Sequence, residues 1–249
     1  MNKLVAKIAF LSLLFMGVLS GCSGVSDKLD PNNADKDKLI KTPLELISQK
    51  SWGDYQQVEY DIYNQEERIG NMNMDITLAS DNKSYIISKD TKKESNRIQS
   101  NVTILADTLM PMKSHYEKTS DIDSENFTIN TVYSKNWQIE TQAQKSSKQT
   151  IDLPQHYYDN ESLLFILGEL SFEDSDTFKL NVTIPLSSRL TPLEFKYDGK
   201  EQIIVPYNET ECYKLTSNDM TFWYSTDHRI LYQYQNGNTV YKLINFTNN

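Results

Sequence analysis

The chain has 249 residues, with 25 basic and 34 acidic side chains and a formal charge of −9. That balance excludes a protein held on nucleic acid by Lys and Arg on phosphates, and one held on anionic lipid by charge alone. Some 200 residues beyond an N-terminal tether fit one all-β domain, long enough to bury a core without disulfide staples.

The chain opens with Lys3 and Lys7, then the apolar run Ile8 to Leu19 (IAFLSLLFMGVL). A basic start, a short apolar run and small residues behind it make a secretory signal. About 12 apolar residues are too few for a spanning helix, which needs roughly 20. The quartet Leu19-Ser20-Gly21-Cys22 resembles the lipobox of bacterial lipoproteins. The resemblance implies cleavage after residue 21, a diacylglycerol on the Cys22 thiol, and an acyl chain such as palmitate on its freed amine. Two or more acyl chains make a stable anchor where one is marginal. It places the chain on a membrane facing away from the cytoplasm, as a cell-envelope protein. Loss of Lys3 and Lys7 with residues 1–21 takes the charge to −11.

Residues 22–41 are rich in charge and poor in apolar side chains, and read as a disordered tether. Thr42-Pro43-Leu44-Glu45 carries a capping box with Pro at the first helical position, which predicts a short helix to about Gln49. A single domain runs from residue 42 to residue 249.

The apolar period then becomes two. Met72, Met74, Ile76 and Leu78 alternate with polar residues, as do Phe178, Leu180, Val182, Ile184 and Leu186. This pattern means antiparallel strands with one buried face. Further strands are expected at Tyr55–Tyr63, Tyr85–Lys89, Val102–Thr108, Met112–Lys118, Phe127–Tyr133, Trp137–Gln142, Leu193–Tyr197, Glu201–Val205, Glu211–Thr216, Thr221–Ser225, Ile230–Gln235 and Val240–Asn245. Asp198-Gly199 and Asn236-Gly237 are two-residue hairpin signals, and Gly70-Asn71 and Asp81-Asn82 mark turns. One segment breaks the pattern. Asp159 or Asn160 can cap a helix to about Leu170, with Leu163, Leu164, Ile166 and Leu167 on its apolar face and Glu161, Ser162 and Glu169 toward water. It would cover one mouth of the sheet.

The residues give no catalytic constellation, and the chain reads as non-enzymatic. There is no G-x-S-x-G elbow, P-loop or dinucleotide fingerprint. His115, His156 and His228 lie far apart in sequence, so no metal or cofactor is expected. Ser225, Asp227 and His228 invite a triad, yet STDHR sits where a turn belongs. Asp121, Asp123 and Glu125, and Glu173, Asp174 and Asp176, read as turns before strands. Cys212 among strand-like neighbours reads as a buried thiol. Fifteen tyrosines and three tryptophans, several at every second position as in Phe195-Tyr197 and Tyr232-Tyr234, form either a core stripe or the wall of an apolar site.

From Val58 to Lys242 the order of features resembles an uncharacterised family of bacterial envelope proteins, classed as a domain of unknown function. The matching stretches are Thr108-Leu109-Met110-Pro111, Leu153-Pro154, Asp159 through Phe165 with Ser162, Glu201 to Pro206, and Thr221-Phe222-Trp223-Tyr224-Ser225 with Asp227. The chain departs from the family in lacking a proline near Ile230. The resemblance implies a lipocalin-like curved sheet, closed into a barrel or left as a half-barrel, with one central helix, and it supplies no catalytic residues. Two functions follow: binding of a lipid or other apolar ligand in the barrel, or docking of another envelope protein.

The lipobox carries the first prediction. Cys22→Ala leaves an uncleaved precursor, or a protein lost from the detergent phase on partitioning. An unchanged mature mass and unchanged partitioning refute the anchor.

Overall fold

The structure is a computed structural model that describes residues 39–142, 146–172, 174–205 and 208–248. Cys22, the signal segment and most of the tether lie outside the described residues.

Among the described residues, fifteen strands make one sheet. They are β1 (Tyr55–Asn64), β2 (Glu67–Leu78), β3 (Ser84–Lys93), β4 (Asn96–Leu105), β5 (Pro111–Ser120), β6 (Phe127–Tyr133), β7 (Asn136–Gln142), β8 (Ser147–Asp152), β9 (Tyr158–Asp159), β10 (Thr177–Ile184), β11 (Arg189–Val205), β12 (Asn208–Ser217), β13 (Met220–Ser225), β14 (Leu231–Asn236) and β15 (Thr239–Asn248). Apart from the β1–β15 contact, strands pair only with their neighbours in the chain, in the order β8 to β1, then β15 to β9, which leaves β8 and β9 at the two ends. All pairs are antiparallel except the two-residue pair of β9 with β10. The sheet is therefore two meandering arms joined at β1 and β15, from Gln56 opposite Asn248 to Asn64 opposite Thr239. It curls until β6 reaches β9 and β10, where the Tyr133 hydroxyl donates to Asp159 Oδ2 at 2.5 Å.

Period-two burial in β1, β3 and β5 turns one face inward, as the alternation predicts. The inward rows cross several strands. One runs Val58, Met74, Lys89, Ser100, Tyr116 and Ile129; the next runs Gln56, Ile76, Ile87, Val102, Ser114 and Thr131. In the other arm Phe195, Phe222, Tyr234 and Tyr241 adjoin in sequence, with centroids 5.9, 4.8 and 5.2 Å apart. All four are buried, so these aromatics are core. A smaller cluster of Tyr116, Ile129, Tyr133, Trp137, Ile139, Ile151 and Tyr157 fills the curl of β5 to β8. Cys212 is fully buried and unpaired, as expected, and burial pushes its thiol up to about 12.

Several expectations are corrected. No helix forms over Thr42–Gln49. Leu46 bridges Leu170, Ile47 N donates to Glu169 O at 2.9 Å, and Ser171 N donates to Glu45 O at 2.9 Å. The backbone there finds long-range partners in place of local helical ones. Asp198-Gly199 is a bulge inside β11, so the two expected strands are one. Its front half pairs with β10 and its rear half with β12. Gly199, at φ +89°, supplies the backbone turn that redirects it. Gly70-Asn71 lies within β2; Gly70 allows β3 to pass so close that a Cβ would sit 2.1 Å from Lys92 O. Asp81-Asn82 is a turn, and Asn236-Gly237 does open the β14–β15 hairpin. The polar strand β8 has no apolar alternation to announce it.

The central helix is shorter than expected and lies inside the sheet. Helical residues are α1 (Leu163–Ile166), followed by one 3-10 turn over Leu167–Glu169. From Asp159 to Leu170 every residue is buried, including Glu161, Ser162 and Glu169, which the amphipathic reading turned toward water. The segment fills the interior of the barrel where a cap over one mouth was expected.

Each large apolar side chain in this segment contributes about 1.5–3 kcal/mol by leaving water. Leu164→Ala should destabilise the domain by about 2–5 kcal/mol in urea unfolding. A loss under about 1 kcal/mol would mean that the segment is not packed as described.

Candidate functional site

The internal segment has two chemically different ends. Its apolar end, Leu163 to Leu170, packs among Trp52, Tyr60, Tyr224 and Ile230. Trp52 meets Phe165 edge-on at 5.9 Å, and the Tyr224 hydroxyl donates to Leu164 O at 2.9 Å. Arg229 Nη1 donates to Leu170 O at 2.6 Å and secures the exit. The polar end, Asp159-Asn160-Glu161-Ser162, meets the inward polar side chains of β3 to β6.

At that end Lys89 Nζ and Glu161 Oε2 form an ion pair deep in the barrel, with side chains 2% and 8% exposed. The Ser100 hydroxyl donates to the same oxygen at 2.9 Å, and Asn160 Nδ2 donates to Glu161 Oε1 at 2.8 Å. Burial, and the Glu161 charge beside it, push the Tyr116 hydroxyl up. The neighbouring carboxylate is that of Asp159. It accepts from Tyr133 at Oδ2 and from the Glu161 N–H at Oδ1, 2.8 Å away. Thr183 Oγ1 lies 3.1 Å from the Tyr133 hydroxyl and donates to Tyr158 O at 3.1 Å. The Ser162 hydroxyl donates to Asp159 O at 2.8 Å, which fixes the turn into α1.

Complete burial is the main cause that raises the Asp159 carboxyl to about 6 from 3.8, against the lowering effect of the Tyr133 hydrogen bond. A folded-state value above the unfolded one means that the protonated form favours the fold. That contribution is full below about pH 3.8 and is lost as pH rises through about 6. Burial first, then the Asp159 charge, holds the Tyr133 hydroxyl well above its ordinary value. Glu169, at the other end, is raised by burial and eased by Ser51, whose N–H donates to Oε2 at 3.0 Å.

The cluster gathers two carboxylates, one ammonium and the hydroxyls of Ser100, Tyr133, Ser162 and Thr183, all buried, and each is engaged by another group of the same chain; the Tyr116 hydroxyl lies beside them. Such a set fixes the segment in one register. It can also hold one proton on Asp159 below about pH 6. Its residues come from the stretch Asp159 through Phe165 and from inward positions of β3 to β6 and β10. Lys89 was legible by parity, since it follows the inward Tyr85 and Ile87 at every second position.

The sites weighed from the sequence do not come together. His115 faces outward beside Asn130, Nδ1 to Oδ1 2.8 Å; His156 offers its carbonyl to Asn181; and His228 is exposed in the β13–β14 turn. Among the described residues no three His, Cys, Asp or Glu side chains are placed to hold a metal ion. Ser225 is buried with its hydroxyl on the Ile230 N–H, while Asp227 and His228 point to solvent. Glu125 pairs with Lys118 at 2.9 Å. Asp174 accepts from Ser171, and Glu173 lies outside the described residues.

A curled antiparallel sheet around its own chain segment defines a β-barrel-like domain. Residues 59–242 match the model of the family described as "Protein of unknown function (DUF3108)", and the chain belongs to that family. A similar solved structure is the crystal structure of a beta-barrel-like protein of domain of unknown function DUF1849 from Brucella abortus. The two share 8% identity at a TM-score of 0.53, over 83% of this chain and 99% of that one, a likeness of fold alone. No curated protein matches the chain.

The Lys89–Glu161 pair can be tested directly. Lys89→Met strands a buried carboxylate and should cost about 3–5 kcal/mol in urea unfolding. Adding Glu161→Gln should recover at least half of that loss, because Gln keeps the acceptor for Ser100. Additive losses in the double variant would refute the pairing.

Proposed function

We propose that the protein is a lipid-anchored, non-enzymatic component of the bacterial cell envelope that works by docking another envelope protein. The observation that carries this reading is the filled interior. Residues 159–170 occupy the space a carried lipid would need, and the titratable groups there are sealed among one another. What remains for recognition is the outer surface. Ile86, Met112 and Val132 are exposed large apolar side chains on β3, β5 and β6. Ile86 lies opposite Thr103, Thr103 opposite Lys113, and Lys113 opposite Val132. Thr103 and Lys113 lie between Ile86 and Val132, so the docking surface in this reading is mixed, with apolar side chains spaced by polar ones.

A second reading, binding of an apolar ligand, draws on a small cavity beside Trp52, Gln56, Met74, Leu164 and Leu231. Trp52 Nε1 and Gln56 Nε2 are buried there without a partner in the chain. The cavity has room for about one water molecule, so a larger guest requires Leu164 and Phe165 to move.

A photo-reactive residue at Val132, introduced in the native envelope, should cross-link to one protein species. Ile86→Asp should weaken that cross-link by about fivefold or more without changing the melting curve. A domain purified gently with lipid retained in native mass spectrometry, and no cross-link at position 132, would overturn docking in favour of the carrier.

A further inference from the structure

Residues 39–47 run from β10 past β9 to the end of the internal segment, and the fold meets their main chain point by point. Asn181 of β10 takes Ile40 from both sides. Ile40 N donates to Asn181 Oδ1 at 2.8 Å, and Asn181 Nδ2 donates to Ile40 O at 2.8 Å. A second bond from Nδ2, to His156 O at 2.7 Å, fixes which end of the amide meets which group. Leu44 N donates to the Tyr158 hydroxyl at 3.5 Å. Ser171 N donates to Glu45 O and Ile47 N to Glu169 O, both at 2.9 Å, on either side of the antiparallel pair Leu46–Leu170.

The two sides of this contact are unlike. From Leu39 to Lys50 every residue is exposed or half-buried. Beneath them Tyr158, Glu169, Leu170 and Asn181 are buried. Other parts of the fold hold this floor in place: His156 O orients the Asn181 amide, and Arg229 holds Leu170 O. The segment is thus a thin layer in a groove built by the rest of the chain. Its hydrogen bonds to that groove all run through its main chain, which any residue type can offer. Side-chain selection falls to Leu44 and Leu46, which pack on the core two residues apart, as side chains on one face of a strand do.

We propose that this groove is a peptide-binding site which the chain's own residues 39–47 occupy, and that an extended segment of a partner protein, with apolar side chains two residues apart, replaces them there by strand addition. The resident segment is a tethered competitor. Covalent attachment keeps it beside the groove at an effective concentration in the roughly millimolar range, so a free segment binds only in proportion to the fraction of grooves left open. Whatever draws residues 39–47 away switches the site on. The site uses none of the residues of the docking surface on β3, β5 and β6.

The test is fluorescence anisotropy of a labelled peptide with the sequence of residues 39–50 (LIKTPLELISQK), titrated with the full chain in detergent. Ile47→Pro in the chain removes the donor to Glu169 O, and should raise peptide affinity by about tenfold or more over wild type. The same change made in the peptide should abolish binding. A locked form supplies the opposite case. Leu46 and Leu170 exchange no hydrogen bonds with each other, which sets their Cα atoms about 4.5 Å apart, within disulfide range. Leu46→Cys combined with Leu170→Cys should bind no peptide when oxidised and regain binding when reduced, a comparison within one protein that stays readable if Ile47→Pro fails to fold. Equal binding by the oxidised and reduced forms overturns the proposal. So does a folded Ile47→Pro chain that binds no more tightly than wild type. Dimerisation of the Ile47→Pro chain with concentration overturns it too, because the groove then belongs to residues 39–47 of a second copy. Docking through Ile86, Met112 and Val132 is read from the cross-link at position 132, so either proposal can fail while the other stands.

Discussion

A lysine ammonium and a glutamate carboxylate meet inside the barrel, out of reach of water, and the interior is arranged around them. Removing an ion from water costs several kcal/mol, which only a close partner and further hydrogen bonds offset. Lys89 and Glu161 have both: the pair itself, Ser100 on one carboxylate oxygen and Asn160 on the other. An apolar segment could slide along an apolar groove at small cost. This one cannot, because a shift of one residue strands both charges. The register of Asp159 to Leu170 is thus set by polar groups, while most of its stabilisation comes from the leucines and Phe165.

The same division explains the two halves of the sheet. The arm from β1 to β8 places polar side chains on its inward face, at Lys89, Ser100, Ser114 and Thr131. The arm from β10 to β15 places a run of adjoining aromatics there, from Phe195 to Tyr241. A single chain segment with an acidic head and an apolar tail matches both arms. It holds the curl where β6 reaches β9 and β10 through Tyr133, Asp159 and Thr183.

Most of the sheet is legible in the sequence because period-two alternation reports a face directly, as in Met72 to Leu78. It fails where the face is polar on both sides, which hid β8, and where a glycine serves a strand, as at Gly70 and Gly199. The internal segment shows the limit most clearly. Its spacing signals a helix, and a helix does start at Leu163. Yet the rule that Glu and Ser face water assumes that the other side is solvent. Here the other side is Lys89, Ser100 and the turn at Asp159, which only the curl of the sheet brings together. Likewise the capping box at Thr42 specifies a local helix start, and the carbonyls and N–H groups of Leu170's neighbourhood outcompete it. Of the buried cluster, the strand residues such as Lys89 and Ser100 could be read in advance from their inward parity, while the residues of the internal segment could not.

The order of the sheet also fixes an order of events. Among the described residues, thirteen of the fourteen strand contacts join strands that follow one another in the chain, and short-range pairings of this kind form early. The fourteenth joins β1 to β15 across nearly the whole domain. A chain leaving a ribosome or a pore N-terminus first holds the inner edge of one arm open until its last strand arrives. The middle of the finished sheet is therefore its final seam, and for that interval the edge of β1 is the one most exposed to capture by a wrong partner.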